Sequence, residues 1–173
     1  MIMSPSLRKF SLTSHITVSV GWIGAVVAYL ALVVVTMTSQ EEQIVRSAYL
    51  AMEPITWFTL VPLALASLVT GIIMSLGTKW GLFRHYWVLA KLLLTVISTL
   101  VLLSYTKTVS YLADIAADPS TDFGRLQGGG GLLHPGIGLL VLLVIVILSV
   151  YKPKGMTRYG WRKQQKKRKE SHL

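Results

Sequence analysis

The chain has 173 residues, of which 53% are hydrophobic and only 14% charged, and its mean hydropathy is +0.59. That much apolar surface cannot be buried by so short a chain in water, which excludes a soluble globular domain. The absence of cysteine excludes disulfides, thiolate metal sites and cysteine nucleophiles. The net charge of +10 is concentrated rather than spread, since nine of the 17 basic residues fall within 152–169.

A span needs about 20 mostly apolar residues to cross a hydrocarbon core roughly 30 Å thick. Four stretches meet this, at about 12–37, 54–76, 83–105 and 135–151, the third with an interfacial continuation to Ala113. Arg8 and Lys9 precede an apolar run longer than a signal-peptide core, with no small-residue cleavage site after it. The first helix is therefore expected in the mature protein. Loops are expected at 38–53, 77–82 and 114–134, and a basic tail at 152–173. The third loop contains Gly128-Gly129-Gly130-Gly131, but no strand precedes it and no Lys-Ser/Thr follows, so it reads as a flexible connector and not a phosphate loop. The expected class is an all-α, four-helix up-down membrane bundle.

Charge orients the bundle. Arg8, Lys9, Lys79, Arg84 and the nine tail residues make thirteen cations on the side of the termini, against Arg46, Lys107 and Arg125 on the other. The positive-inside rule places both termini in the cytoplasm of a bacterial cell whose inner membrane the chain spans. A juxtamembrane basic cluster of this kind attracts anionic lipid headgroups, and no nucleic-acid partner is expected. Trp80 and Trp161 read as interfacial anchors.

Ionisable side chains at membrane depth are costly and are functional candidates by default. Two lie well inside the spans, His15 and Lys91. His15 is six residues beyond Lys9 and Lys91 seven beyond Arg84. At about 1.5 Å per residue both sit roughly 10 Å inside the same boundary, on helices running the same way. Ser19, Trp22 and Tyr29 follow His15 at helical spacing, and Arg84, Trp87, Thr95 and Ser98 surround Lys91 likewise. On the second span Gly71 and Met74 reach similar depth, the glycine leaving room for a flat ligand against the backbone. Neutral imidazole is a common metal ligand and an axial ligand of haem, and four-helix bundles build cofactor sites from inward side chains. The layer therefore suits a haem b. His15 is the axial ligand, Trp22 and Trp87 line the macrocycle, Arg84 is placed for a propionate, and Lys91 serves as second axial ligand or carboxylate partner. Met74 and His85 are reserve ligands. Structural alternatives stand beside this: His15 hydrogen-bonded within the bundle, and Lys91 reaching back to the interface.

His134 precedes Pro135, read as the first helical position, so a capping role is expected for it, with a metal site among the outer aspartates as the alternative. His172 is expected to be inert. No hydrolase motif and no intramembrane carboxylate pair is present.

The run His15-Ile-Thr-Val-Ser-Val-Gly-Trp22 followed by Ile-Gly, with Trp87-Val-Leu-Ala-Lys91-Leu-Leu, resembles helices one and three of a superfamily of small bacterial integral membrane proteins. That superfamily includes the copper-resistance D-like proteins and the membrane-bound, haem-containing protoporphyrinogen oxidase. The whole sequence looks closest to a branch found in bacilli and actinobacteria. The resemblance implies His15 as haem ligand and Lys91 as ligand or porphyrin-carboxylate partner. It departs where the oxidase carries a Tyr-His pair after its lysine: Val101-Leu102-Leu103 stand there, with Tyr105 later. The expected function is a b-type haem protein in electron transfer or porphyrin-related oxidation, with a redox protein or a porphyrin as partner. The alternatives are a cofactor-free scaffold or small transporter subunit and, third, copper handling, for which only Met37 and Met74 offer span methionines.

Overall fold

A computed structural model describes residues 3–78, 81–126 and 131–170. Lys79, Trp80, the first three of the four consecutive glycines and His172 lie outside the described residues. Six helices follow one another: α1 (Pro5–Thr38), α2 (Glu42–Ile55), α3 (Val61–Gly77), α4 (Tyr86–Ala117), α5 (Leu133–Tyr151) and α6 (Arg158–Glu170). The only β-type pairing among the described residues is an isolated bridge between His85 and Met156. Four helical rods are long and apolar enough to span a membrane: α1, α2 continued into α3, α4, and α5. Each rod packs on the next in sequence, and the first and last also touch, closing an up-down ring that leaves both termini at one end. The chain is an all-α, four-span membrane bundle.

The spans differ from the expected boundaries for local reasons. α1 starts two turns early because Ser4 accepts a hydrogen bond from the Leu7 N–H and Pro5 supplies a preformed first position. The stretch expected as a loop, 38–53, is mostly helix. In α2, Val45, Ala48, Tyr49 and Met52 recur at helical spacing and all are buried, and this face outweighs the missing Pro54 N–H. Between Pro54 and Pro62 the helix widens over Thr56–Leu60 into a π turn, closed by the Val61 N–H on the Thr56 carbonyl. Pro62 has no N–H to give Phe58, so the ladder shifts its register there and the rod continues. α4 starts at Tyr86, later than expected, and runs on to Ala117.

The far end of α4 is fastened by Arg46, which sequence reasoning counted only as a charge. Its Nη1 donates to the carbonyls of Ile115 (3.3 Å), Ala116 (3.2 Å) and Asp118 (2.8 Å), and its Nη2 to that of Thr121 (2.7 Å). Glu42, one turn earlier, holds the guanidinium at 2.7 Å. One side chain thus satisfies carbonyls that a helix C-terminus leaves without partners. His134 does not cap α5, whose first residue is Leu133; it sits within the first turn and stacks on Tyr105 at 4.1 Å.

The packed core occupies the half of the bundle away from the termini. Trp22, Tyr29 and Val33 of α1 meet Val45, Tyr49 and Met52 of α2, Ala64 of α3, and Val109 and Leu112 of α4. α5 buries only Leu142 and presents Leu140, Val144, Ile147 and Val150 outward, an apolar surface suited to lipid. In the half nearer the termini, hydroxyl side chains pair with polar groups of neighbouring helices. The sequence-predicted site lies there.

Candidate functional site

A polar ladder joins α1 to α3. His15 Nδ1 lies 2.9 Å from Thr70 Oγ1, and one turn deeper Ser19 Oγ lies 2.9 Å from Ser67 Oγ. The Thr70 hydroxyl is also engaged with its own helix, donating to the Ala66 carbonyl at 2.7 Å. A hydroxyl has one proton. Were that proton on the Ala66 carbonyl, the Thr70 oxygen would accept from His15, and a neutral imidazole would carry its proton on Nδ1 and its lone pair on Nε2. The ring is half-buried and presses on α3: a Cβ added to Gly71 would stand 3.3 Å from His15 Cε1. The sequence reading reserved the space at Gly71 for an external flat ligand. The flat group that uses it is the His15 imidazole.

Lys91 is held from the other side. Its Nζ donates to Ser149 Oγ on α5 at 3.0 Å, and Ser149 passes its own proton to the Ile145 carbonyl at 2.8 Å. The same Nζ stands 4.9 Å above the Trp87 ring, a cation–π contact. His15 and Lys91 are on opposite helices of the ring, His15 paired with α3 through Thr70 and Lys91 with α5 through Ser149. They are not in direct contact. To ligate a metal, Lys91 would have to give up both Ser149 and the Trp87 face.

The tryptophans bracket this layer. Trp22, two turns from His15, is buried and starts the packed core; Trp87, one turn before Lys91, is buried towards the termini. Met74 is half-buried one turn beyond Thr70 on the same face.

Arg84 is not where the sequence placed it, and His85 lies off the Lys91 face. Because α4 begins at Tyr86, neither belongs to a helix face shared with Lys91. Arg84 lies in the connection from α3, with its aliphatic stem against Gly81, whose φ of +63° is a left-handed conformation that a side chain would oppose. His85 is extended, stands at the N-cap position of α4 without a side-chain capping bond and pairs with Met156, its ring 6.4 Å from that of Trp87. Arg84 is thereby removed from the stripe proposed to meet a propionate.

What displaces them is a strap that the sequence did not reveal. Residues 155–160 cross beneath the start of α4. Gly155 accepts from the Tyr86 N–H, Thr157 donates from its N–H to the Arg84 carbonyl and from its hydroxyl to the Phe83 carbonyl, and the hydroxyl also caps α6 through the Gly160 N–H. A Cβ on Gly160 would meet the Arg84 carbonyl oxygen at 2.5 Å, so only glycine fits. Of the residues missed, Ser149 had a usable signal: it is the one hydroxyl within the apolar run of α5.

Among the described residues no three His, Asp or Glu side chains converge to hold a metal ion. The class defined by fold and site is thus a four-span membrane bundle in which His15 pairs with Thr70 and Lys91 with Ser149 between neighbouring helices. Compared with family models, curated proteins and solved structures, the chain finds no match. The resemblance to the haem-oxidase and copper-resistance superfamily rests on the residues of α1 and α4 quoted above.

Proposed function

We propose that this protein is a b-type haem protein of the bacterial inner membrane, with both termini cytoplasmic, working in electron transfer or in a porphyrin-related oxidation. The observation that carries the reading is the His15–Thr70 pair. Ligating histidines characteristically donate their second ring N–H to an outer partner, which fixes the tautomer and orients the ring. His15 Nδ1 has such an outer partner in Thr70, and a proton on Nδ1 would leave the Nε2 lone pair for a metal. The donor set fits haem iron better than copper, because one imidazole in an apolar, aromatic-bracketed layer suits a macrocycle, while copper passage favours repeated Met and His. Bound there, haem would supply one-electron redox chemistry.

In this scheme His15 holds the iron and Thr70 holds His15. Trp22 closes the layer towards the packed core and Trp87 towards the termini, excluding water. Lys91, held by Ser149 and the Trp87 face, would offer its amino group to carboxylates of a porphyrin. Iron and porphyrin analysis of the detergent-purified protein tests the reading: iron and porphyrin in equal amounts support it, whereas copper alone or neither would leave a copper carrier or a cofactor-free scaffold. Because the chain has no cysteine, single cysteines placed at Ser39 and at Ser171 report orientation cleanly. Labelling by an impermeant maleimide from the periplasm is expected at the first and not at the second.

A further inference from the structure

The four rods are unequal in length. α5 has 19 residues, about 28 Å, and matches a hydrocarbon core roughly 30 Å thick. α1 has 34 residues, α2 continued through α3 has 36 and α4 has 32, so each measures about 50 Å. At the termini end the rods are level. The Met3 N–H donates to the Gly77 carbonyl (3.2 Å), the Tyr86 N–H to the Gly155 carbonyl (3.4 Å), and Lys91 reaches Ser149 near the close of α5. The excess length therefore stands at the other end. There His134, in the first turn of α5, stacks on Tyr105, and α4 runs on from Tyr105 to Ala117, about 18 Å further. α2 accompanies it, since Arg46 bonds to the carbonyls of Ile115, Ala116, Asp118 and Thr121, and Tyr49 to that of Leu126. Two exposed aromatic belts mark the slab between the ends: Tyr86 and Tyr151 near the termini, Trp57, Phe58 and Tyr111 opposite. At and beyond the second belt charges resume, with Glu41, Glu42, Glu53, Asp114, Asp118 and Asp122 against Arg46, Lys107 and Arg125.

We propose that the end of α1, α2 and the end of α4 form a head outside the bilayer, opposite the termini, and that the groove between α1 and α2 on this head seats an amphipathic, cationic helix of a partner protein. The groove has a volume of about 440 Å³. It is lined by Leu32 and Val35 of α1 and by Ile44, Ser47, Ala48 and Ala51 of α2, where three small side chains leave room for larger ones from outside. Within hydrocarbon such a hollow would fill with lipid chains. In water, an apolar hollow between two antiparallel helices is a seat for the apolar face of a third. Charge selects the sign of that partner. α1 and α2 are joined through residues 39–41, so Glu41 and Glu42 stand at the closed end of the groove, and the carboxylates of the head outnumber its cations six to three. Arg46, moreover, is spent on Glu42 and on carbonyls at the end of α4. A helix with Lys or Arg on its polar face is drawn to that field, and an acidic one is repelled. Nothing in this surface depends on haem.

The chain has no cysteine, so single spin labels report each position cleanly. In phosphatidylcholine nanodiscs, labels at Ser47→Cys and Asp114→Cys should collide more with a water-soluble nickel chelate than with oxygen. A label at Leu140→Cys, outward on α5, should do the reverse. An oxygen-dominated pattern at all three positions would overturn the head. The full-length protein labelled at position 47 is then titrated with an amphipathic Leu/Lys peptide of about 14 residues, four helical turns. Saturable immobilisation of that label is expected, with none at position 140 and none from a Leu/Glu peptide of the same pattern. Ile44→Gln, at a position already exposed, should weaken binding about tenfold by removing one apolar contact, and Glu41→Gln about twofold to fivefold. No saturable immobilisation, an equal response to the two peptides, or binding unchanged in Ile44→Gln would overturn the docking surface. Unchanged helical circular dichroism of the variants would show that lost binding is not lost folding.

Discussion

Replacing Thr70 by valine keeps the shape of the side chain and deletes the oxygen that receives the His15 Nδ1 proton. The contact is 2.9 Å long and half-buried, and Thr70 is itself saturated by the Ala66 carbonyl. Loss of an acceptor from a partly buried N–H costs about 1–3 kcal/mol. Water cannot replace it easily, because Gly71 brings the ring against α3 at the same point. Outer partners of metal-binding histidines typically contribute about 10–100-fold in affinity, or roughly 1.4–2.8 kcal/mol, which is the same range. Thr70→Val should therefore weaken haem binding about 10–100-fold, measured by titrating haem into the apoprotein in detergent and following the Soret band. Thr70→Ser, which keeps the hydroxyl, should stay within about threefold of the parent. Equal affinity in Thr70→Val and the parent would refute the argument that Thr70 sets the tautomer of His15. So would a serine variant as weak as valine.

Other consequences concern the scaffold. Arg46→Ala removes two short and two longer charge-assisted hydrogen bonds to carbonyls at the end of α4. A loss of about 2–4 kcal/mol in unfolding free energy is expected in a detergent titration, since hydrogen bonds to charged groups contribute roughly 1.5–3 kcal/mol each and the exposed helix end is partly rehydrated. A change under about 0.5 kcal/mol would contradict the clamp. Gly160→Ala drives a methyl into the Arg84 carbonyl and should release the strap, so limited trypsin cuts at Arg162 and Lys163 faster than in the parent while the four spans stay intact. Asp118 is fully exposed, and its carboxylate is held below the usual range by hydrogen bonds from the Ser120 hydroxyl, the Ser120 N–H and the Thr121 hydroxyl, with Arg46 adding a little. A lowered carboxylate favours the folded turn above the ordinary carboxylate value of about 3.9 and stops doing so as pH falls through the lower folded value. Exchange of the Ser120 amide should therefore quicken on acidification in the parent and be independent of pH over that window in Asp118→Asn, after correction for intrinsic exchange.

The bundle could be read from the sequence because its cause is compositional: four apolar runs of span length admit few other solutions, and those runs became the four rods. Features that depend on long-range pairing were less visible. The helical stretch before Pro54 was obscured by a proline that reads as a start signal, although Val45, Ala48, Tyr49 and Met52 already traced a buried face. The depth argument for His15 and Lys91 needed only the rise of a helix, and each side chain meets a hydroxyl of a neighbouring helix. Their partners could not be deduced, since Thr70 and Ser149 are merely hydroxyls in apolar helices until α1 meets α3 and α4 meets α5. Arg84 was misplaced for one reason: the strap of 155–160 takes the backbone of 83–86 as its partner and delays the start of α4. No periodicity in a basic tail announces that contact.

The proposed haem site depends on the His15 imidazole as the iron ligand. Absorption spectra of the protein purified in mild detergent, oxidised and then reduced with dithionite, test it most directly when His15→Ala, His85→Ala and His134→Ala are compared with the parent. A Soret band with reduced b-type bands in the parent, kept in His85→Ala and His134→Ala and abolished in His15→Ala, is the predicted result. A colourless parent after expression with ample haem, or a band that survives in His15→Ala, would contradict it.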